Sequence, residues 1–163
     1  MLMTKHPKII TIENKKLVGH SIQMSLEQDK TVALFSRFMP QRKHILNAIN
    51  NNVFEVLLYK NNDLKNFNPS NTFTKWAAVE VTSYDNVPKG MRTFDLESSL
   101  YAAFTYKGLA KDFGKFIHYI FTYYLPQSVY ALDNRPHFNV LSEKTTRHSP
   151  DSEEKVWIPI TLK

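Results

Sequence analysis

The two halves of this chain are predicted to contain the same order of elements, and this repeat constrains the fold more than any other feature. Each half has extended sequence, a helix and then two strands. The first half has extended sequence at 8–24, a helix at 31–50 that contains Pro40, and strands at 53–59 and 73–83. The second half has strands at 91–96 and 100–106, a helix at 112–125 that Pro126 ends, and strands at 137–143 and 155–162. The pattern predicts an α+β fold with an antiparallel sheet and both helices on one face.

The repeat also predicts the domain organisation. With 163 residues the chain has the length of one compact domain. We expect a single domain over 1–163, with a first repeat at about 8–83 and a second at about 91–162. The segment TSYDNVPKG joins the repeats and contains strong turn signals. Two such halves side by side are expected to leave a cleft between them, and we expect no DNA-binding domain.

Composition excludes several classes of site. The absence of cysteine excludes disulfides and thiolate metal sites, and only 4 glycines leave no Gly-rich phosphate loop. The six histidines have no metal-type spacing, so we expect neither a metal nor a cofactor. The net charge of +6 comes from scattered lysines and arginines, which favours an ordinary solvated surface over nucleic-acid binding. No apolar run is long enough to span a membrane, and we expect a cytoplasmic protein.

Strand alternation predicts which side chains share a face. In the strand WAAVEV, Trp76, Ala78 and Glu80 alternate with the aliphatic residues that pack on the helix. In the last strand Trp157 alternates with an aliphatic row in the same way. We therefore expect both tryptophans to face one cleft, with Glu80 between them. Tyr59 and Tyr106, at the ends of strands expected to be neighbours, are predicted to extend its walls.

Glu80 is the most unusual residue of this strand, because a carboxylate among apolar neighbours is costly unless a cation answers it. One interpretation is a ligand site, in which aromatic faces and the carboxylate bind a flat cationic molecule. The other is an internal ion pair with one of the 21 lysines and arginines of the chain. The pattern by itself does not decide between them.

The run WAAVEVTSYDNVPKGMRTFDLESSLYAAFTYKG resembles the GyrI-like small-molecule-binding domain, also called the AraC-type effector-binding domain. Three further stretches fit the same family in the same order, SRFMPQRKHI, YYLPQSVYAL and PHFNVLSEK with EEKVWIPI. The resemblance implies a duplicated strand–helix–strand–strand fold with a pseudo-twofold ligand cleft. It places Glu80 in that cleft and Trp157 in the aromatic-x-Pro pattern of the last strand. Ala78 stands where the family has glycine, so the identity of the ligand does not follow.

The resemblance implies a stand-alone protein that binds small amphipathic aromatic or cationic compounds. Its partners would be a small organic ligand and, as in some relatives, a protein such as DNA gyrase or a regulator; direct DNA binding and membrane association are not expected. The alternative is a hydrolase of reactive small molecules, with Glu80 as general base and a tyrosine as proton donor. A single carboxylate with a tyrosine favours binding over catalysis.

Overall fold

The structure is a computed structural model. It describes residues 6–60, 68–146 and 148–163, and only the backbone of residues 2–3. Its strands are β1 (Leu2–Met3), β2 (Lys8–Ile12), β3 (Lys15–Met24), β4 (Val53–Leu58), β5 (Phe73–Val81), β6 (Arg92–Leu96), β7 (Ser99–Lys107), β8 (Tyr130–Leu132), β9 (His137–Leu141) and β10 (Glu153–Leu162). The helices are α1 (Thr31–Gln41), followed by a 3-10 turn at Arg42–His44, and α2 (Phe113–Tyr119). A 3-10 turn at Ala110–Asp112 precedes α2, a π-helical turn (Ile120–Tyr124) continues it, and a last helical turn α3 (Leu125–Gln127) ends it.

The strands form one antiparallel sheet in the order β1-β7-β10-β9-β4-β5-β3-β6, with β2 also on β7 and β8 on β10. The order is symmetric about the central pair β9 and β4, where Asn139 lies opposite Glu55. The predicted α+β class with an antiparallel sheet is confirmed. Strand pairing nevertheless crosses between the halves, because β2 pairs with β7 and β6 pairs with β3. Each half therefore supplies an edge strand to the other.

Both helices lie on the same face of the sheet. Ala77, Val79 and Val81 of β5 pack with Leu34 and Phe38 of α1. On the other half, Val156, Ile158 and Ile160 of β10 pack with Phe116 and Ile120. The alternation predicted for these two strands is confirmed, since the residues between these positions belong to a separate cluster on the other face. The space between the two helices lies over the central strands.

The prediction of a helix over 31–50 is wrong beyond the first three turns. Helix α1 ends at Gln41, and the chain after the 3-10 turn is irregular apart from a bridge between Ala48 and Val81. Pro40 lacks an N–H and restricts its predecessor, which favours termination here. Leu46 is 80% exposed, so its apolar character does not indicate a helical face. The second helical segment instead runs past Pro126 to Gln127.

Gly19 of β3 lies where two strands approach each other closely. A Cβ at this position would lie 2.0 Å from the carbonyl oxygen of Ala77 and 2.6 Å from Cα of Ala78, both backbone atoms of β5. Real Cβ atoms do not approach backbone this closely, so the strand pairing requires glycine here. The pair β3–β5 in turn carries Glu80 and Trp76.

Candidate functional site

A large cavity within the described part of the chain lies on the helix face of the sheet, beside α2. It has a volume of about 870 Å³, and we call it the α2 groove. Its walls come from α2 and its continuation, from residues at the β4 and β5 ends and from the β8 region: Leu26, Tyr59, Asn68, Asn71, Thr72, Phe73, Gly114, Ile117, His118, Phe121, Leu125, Pro126, Tyr130, Ala131, Leu132 and Lys163. The volume and the aromatic and aliphatic walls are those of a small-molecule site.

The π-helical turn determines which side chains of the second helical segment point to the core and which line the groove. Ile120 and Leu125, five residues apart, are both buried in the core of the second half. A π turn shares this five-residue spacing, and such turns are frequent at functional sites. Ile117 and Phe121, one turn apart, face the groove and are half-buried. One helix therefore contributes both to the core and to the groove wall.

His137, the first residue of β9, is buried behind two aromatic residues of the groove wall. Its ring packs edge-to-face on Tyr59, at 5.1 Å between centroids, and lies 6.2 Å from the ring of Phe121. The residue is 4% exposed. Burial, with a smaller contribution from the charge of Arg135, lowers the pKa of His137 to about 3, so the imidazole is neutral at physiological pH.

Charged residues lie on the helix face of the sheet beside the groove, and we call the region of Glu55, Lys75 and Glu154 the floor. Asn139 donates a hydrogen bond from Nδ2 to Oε1 of Glu55 at 2.9 Å, and Lys75 Nζ lies 3.6 Å from Oε2 of Glu55. Lys75 also donates to Oγ1 of Thr31 at the start of α1, at 2.8 Å. This network satisfies Glu55 and connects the central strands to the first helix.

Glu154 of β10 is the second carboxyl group of this floor, and none of the described residues gives it a hydrogen bond or an ion pair. Burial and the neighbouring charge of Glu55 raise the pKa of Glu154 to about 7, against a smaller lowering by Lys75. A group with this pKa exchanges its proton near neutral pH. The floor therefore holds two carboxyl groups and one lysine.

The face opposite the helices carries the predicted tryptophans. Trp76, Ala78 and Trp157 belong to one aromatic and aliphatic cluster, as the alternation predicts. Trp157 stacks on Phe138 at 5.3 Å and 10° between ring planes. Trp76 is 5% exposed, and neither tryptophan lines the α2 groove. On this face the rings pack on one another rather than around a described cavity.

Glu80 is on the same face as Trp76 and has a partner within the chain. Lys15 Nζ lies 3.7 Å from Oε1 of Glu80, and both side chains are partly exposed. A second cation, Arg92, lies over the ring of Trp76 at 5.8 Å from its centroid. The geometry is that of the internal ion pair, the second of the two interpretations of Glu80. A contact between Glu80 and a ligand stays a prediction.

Tyr59 and Tyr106 lie on the helix face, away from the tryptophans. Tyr59 follows β4 and contributes to the α2 groove, whereas Tyr106 of β7 is 1% exposed and packs on Phe113 and Phe116. The expectation that their strands are neighbours is wrong, because β9 and β10 lie between β4 and β7. The predicted set of six residues is thus divided between the two faces of the sheet.

Sequence reasoning missed three residues of the helix face, Phe121, His137 and Glu154. Glu154 is in step with the aliphatic row of β10, so alternation indicates a carboxyl group on the helix-packed face. His137 begins the alternating strand and shares a face with Asn139. Phe121 lies among the apolar residues of the second helical segment, and helical spacing alone does not separate core positions from groove positions.

Two further features of the described residues bear on the kind of site. No group of three or more histidine and acidic side chains within them is arranged to hold a metal ion. None of the helices they form combines the length and the apolar character needed to cross a membrane.

The fold is shared with several solved structures. The crystal structure of the EcmrR C-terminal domain superimposes with a TM-score of 0.73 at 10% sequence identity and covers 100% of both chains. SAV2435, solved bound to tetraphenylphosphonium, gives a TM-score of 0.71 at 15% identity over 96% of this chain and 94% of that one. An integron cassette protein from the mobile metagenome of Vibrio cholerae gives 0.64 at 12% identity over 96% and 97%.

No curated protein sequence matches this chain significantly. A family model does: it describes an integron-associated effector binding protein and matches residues 8–160, nearly the whole chain. The match agrees with the resemblance carried by the strand WAAVEV and the turn after it, and with the fold of the three structures. The chain therefore belongs to the integron-associated effector binding proteins, within the GyrI-like small-molecule-binding domains.

Proposed function

We propose that this protein binds small amphipathic organic molecules, aromatic or cationic, in the α2 groove, in an effector-binding or sensor-type role. The observation that carries the proposal is the groove itself, a cavity of about 870 Å³ with the rings of Tyr59, Phe73 and Phe121 in its walls. Family membership supports the same role, and so does the tetraphenylphosphonium bound to SAV2435, a protein of the same fold.

The walls of the groove favour a flat apolar body. Tyr59 and Phe73 pack on each other with centroids 5.0 Å apart and form one side, while Ile117 and Phe121 form the other. Burying apolar surface contributes roughly 25 cal/mol for each Å². A ligand with two fused or linked rings therefore gains several kcal/mol from the walls before any polar contact is made.

Binding is tested by thermal shift and by equilibrium titration with aromatic dyes, both cationic and uncharged. Replacement of Phe121 by Ala removes one wall, and we expect a loss of about tenfold or more in dye affinity. Tyr123→Ala is the matched control, because Tyr123 lies two residues away on the same helical segment and is 53% exposed outside the groove. Equal affinities in Phe121→Ala and Tyr123→Ala would show that ligands bind elsewhere.

The variant Glu80→Gln tests separately whether Glu80 contacts the ligand. If Glu80 contacts a cationic ligand, Glu80→Gln weakens the binding of cationic dyes and leaves uncharged dyes unchanged. If its charge serves only the ion pair with Lys15, both kinds of dye bind as they do to the wild type. Mass analysis of the dyes after incubation tests the hydrolase alternative, for which turnover must disappear in Glu80→Gln.

A further inference from the structure

Two adjoining cavities lie at the C-terminal end of α1. Their volumes are about 320 and 330 Å³, and we call them the α1 cavities. Among the described residues, neither cavity shares a lining residue with the α2 groove. Three residues line both α1 cavities: Met39, Arg42 and Asn51. The two cavities therefore form one surface that is separate from the α2 groove.

Arg42, which belongs to both cavities, is held in place but not neutralised. It begins the 3-10 turn after α1, and its Nη1 donates to the carbonyl oxygen of Asn51 at 3.1 Å. None of the ion pairs formed by the described residues involves Arg42. A guanidinium has five N–H donors in a planar fork that matches a carboxylate. Most of these donors remain for an acceptor from outside the chain.

The segment around Arg42 is basic. Between positions 37 and 52 the sequence contains no acid, and its ionisable residues are Arg37, Arg42, Lys43 and His44. Lys43 lines one α1 cavity together with Arg42. Glu143 is the acid of the described linings, and it contributes only to the other cavity. The charge of this surface is therefore complementary to an acidic partner.

The same segment exposes apolar side chains. Met39, which lines both cavities, is 41% exposed, and Leu46 and Ile49 are 80% and 52% exposed. Single exposed apolar residues are ordinary, whereas several of them beside cavities and basic groups are typical of an interaction site. A small inorganic anion on Arg42 would leave these side chains in water. The surface therefore fits a partner that has apolar groups as well as carboxylates.

The loop that carries Leu46 and Ile49 is fixed to β5. Ile49 donates its N–H to the carbonyl oxygen of Glu80 at 2.9 Å, and the N–H of Thr82 donates to the carbonyl oxygen of Asn47 at 3.2 Å. A surface that is already ordered loses little conformational entropy when a partner binds. The exposed apolar residues are thus presented in a fixed position.

We propose that the α1 cavities bind an acidic peptide segment of a partner protein, with apolar side chains in the cavities and a carboxylate on Arg42. The inference goes beyond the proposed function, because it concerns a second surface and a macromolecular partner. Carboxylates and apolar side chains together are the chemistry of a peptide. A nucleic acid would instead be met by a longer row of lysines and arginines along its phosphates.

A random dodecapeptide library displayed on phage is the probe, selected on the immobilised wild-type protein. The enriched sequences should combine at least two large apolar residues with aspartate or glutamate next to them. Enriched peptides are then synthesised with a fluorescein label and titrated by fluorescence anisotropy. If no sequence is enriched above the bare support, or if the enriched sequences lack aspartate and glutamate, the inference is overturned.

Variants of Arg42 test the contact with the carboxylate. Arg42→Glu should weaken the binding of the enriched peptides at least about tenfold at physiological ionic strength, and Arg42→Gln about fivefold or more. Arg37→Glu is the matched control, because it makes the same change of charge at an exposed position of α1 outside both cavities. It should change peptide affinity less than about twofold.

Changing the peptide as well as the protein isolates the charge. When the acids of the peptide are replaced by asparagine and glutamine, wild type and Arg42→Gln should bind the neutral peptide with affinities within about twofold. A neutral peptide that still distinguishes the two proteins fully would show that Arg42 acts without the carboxylate, which overturns the inference. Thermal unfolding confirms that each variant is folded, and Arg42→Gln serves if Arg42→Glu is not.

The remaining outcomes separate this surface from other occupants and from the proposed function. Dyes should bind in the α2 groove of Arg42→Glu as they do in the wild type. Peptides that lose affinity in Phe121→Ala but not in Arg42→Glu bind in the α2 groove and overturn the inference. So does displacement of the peptide by double-stranded DNA, or a wild-type dimer in size-exclusion chromatography that Arg42→Glu abolishes, because the occupant is then a nucleic acid or a second copy.

Discussion

The carboxyl group of Glu154 makes the stability of this protein depend on pH in a direction opposite to that of a salt-bridged acid. Burial and the charge of Glu55 raise its pKa from 4.5 to about 7 in the folded protein. The folded state therefore holds this proton where the unfolded chain has released it. Stability from this group is complete below about pH 4.5 and is lost as the pH rises to about 7.

The magnitude follows from the two pKa values. The interval from 4.5 to about 7, at about 1.36 kcal/mol for each pH unit, sets an upper limit of about 3 kcal/mol. Glu154 keeps some exposure to solvent, so we expect about 1–3 kcal/mol. Glu154→Gln keeps the shape and cannot ionise. At pH 5 the variant should exceed the wild type in stability by less than about 1 kcal/mol, and at pH 8 by the full amount of about 1–3 kcal/mol, roughly fourfold more than at pH 5.

Urea unfolding at pH 5 and pH 8 measures this difference, with the variant compared to the wild type at each pH so that other titrating groups cancel. Glu153→Gln is the matched control. It removes the exposed ion pair with Lys144 and should change the free energy of unfolding by no more than about 1 kcal/mol at either pH. If Glu154→Gln shifts the free energy equally at both pH values, the carboxyl group is not held neutral by its surroundings. The pKa of Glu154 would then not be raised by burial and by Glu55.

Three further changes test the strands and loops that position the groove and the opposite face. Glu80→Gln should lower the free energy of unfolding by no more than about 1 kcal/mol, because its pair with Lys15 is partly exposed; a loss above 2 kcal/mol in urea unfolding would show a buried role. Gly19→Ala should destabilise by about 3 kcal/mol or abolish soluble expression, since its Cβ would meet the carbonyl oxygen of Ala77; a wild-type melting temperature would contradict the close approach. Arg135→Lys should cost about 2 kcal/mol by thermal unfolding, because lysine cannot reproduce the planar contacts to Asp133, Leu100 and Ile160, and an unchanged melting temperature would mean that the guanidinium is dispensable.

The sequence predicts on which face of a strand each side chain lies better than it predicts which strands pair with each other. Alternation with period two places Trp76 and Ala78 opposite Ala77 and Val79 whatever the topology, and this prediction is confirmed. Pairing between strands depends on contacts distant in sequence, which alternation does not contain. The exchange of β2 and β6 between the halves was therefore not predicted.

The ends of the helices depend on local chemistry that the spacing of apolar residues does not predict. Ile45 and Ile49 continue the helical spacing of α1, yet the chain has already left the helix at Gln41. Ile45 is buried in the core of the first half without belonging to the helix, and Ile49 donates its N–H to the carbonyl oxygen of Glu80. An apolar residue at the correct spacing can thus be explained by tertiary packing alone.

The site was harder to predict than the fold because both faces of this sheet are apolar. An unusual charge on a strand, such as Glu80, shows which residues share its face, but it does not show whether that face is open or packed. Here the tryptophan face is filled by stacked rings, while the α2 groove lies on the helix face, between the second helical segment and the ends of β4 and β5. Each helix packs over its own half, and Glu55 and Glu154 lie on this same face of the sheet. A charge on either face is therefore compatible with the alternation, and only the packing of the whole sheet shows which face carries a cavity.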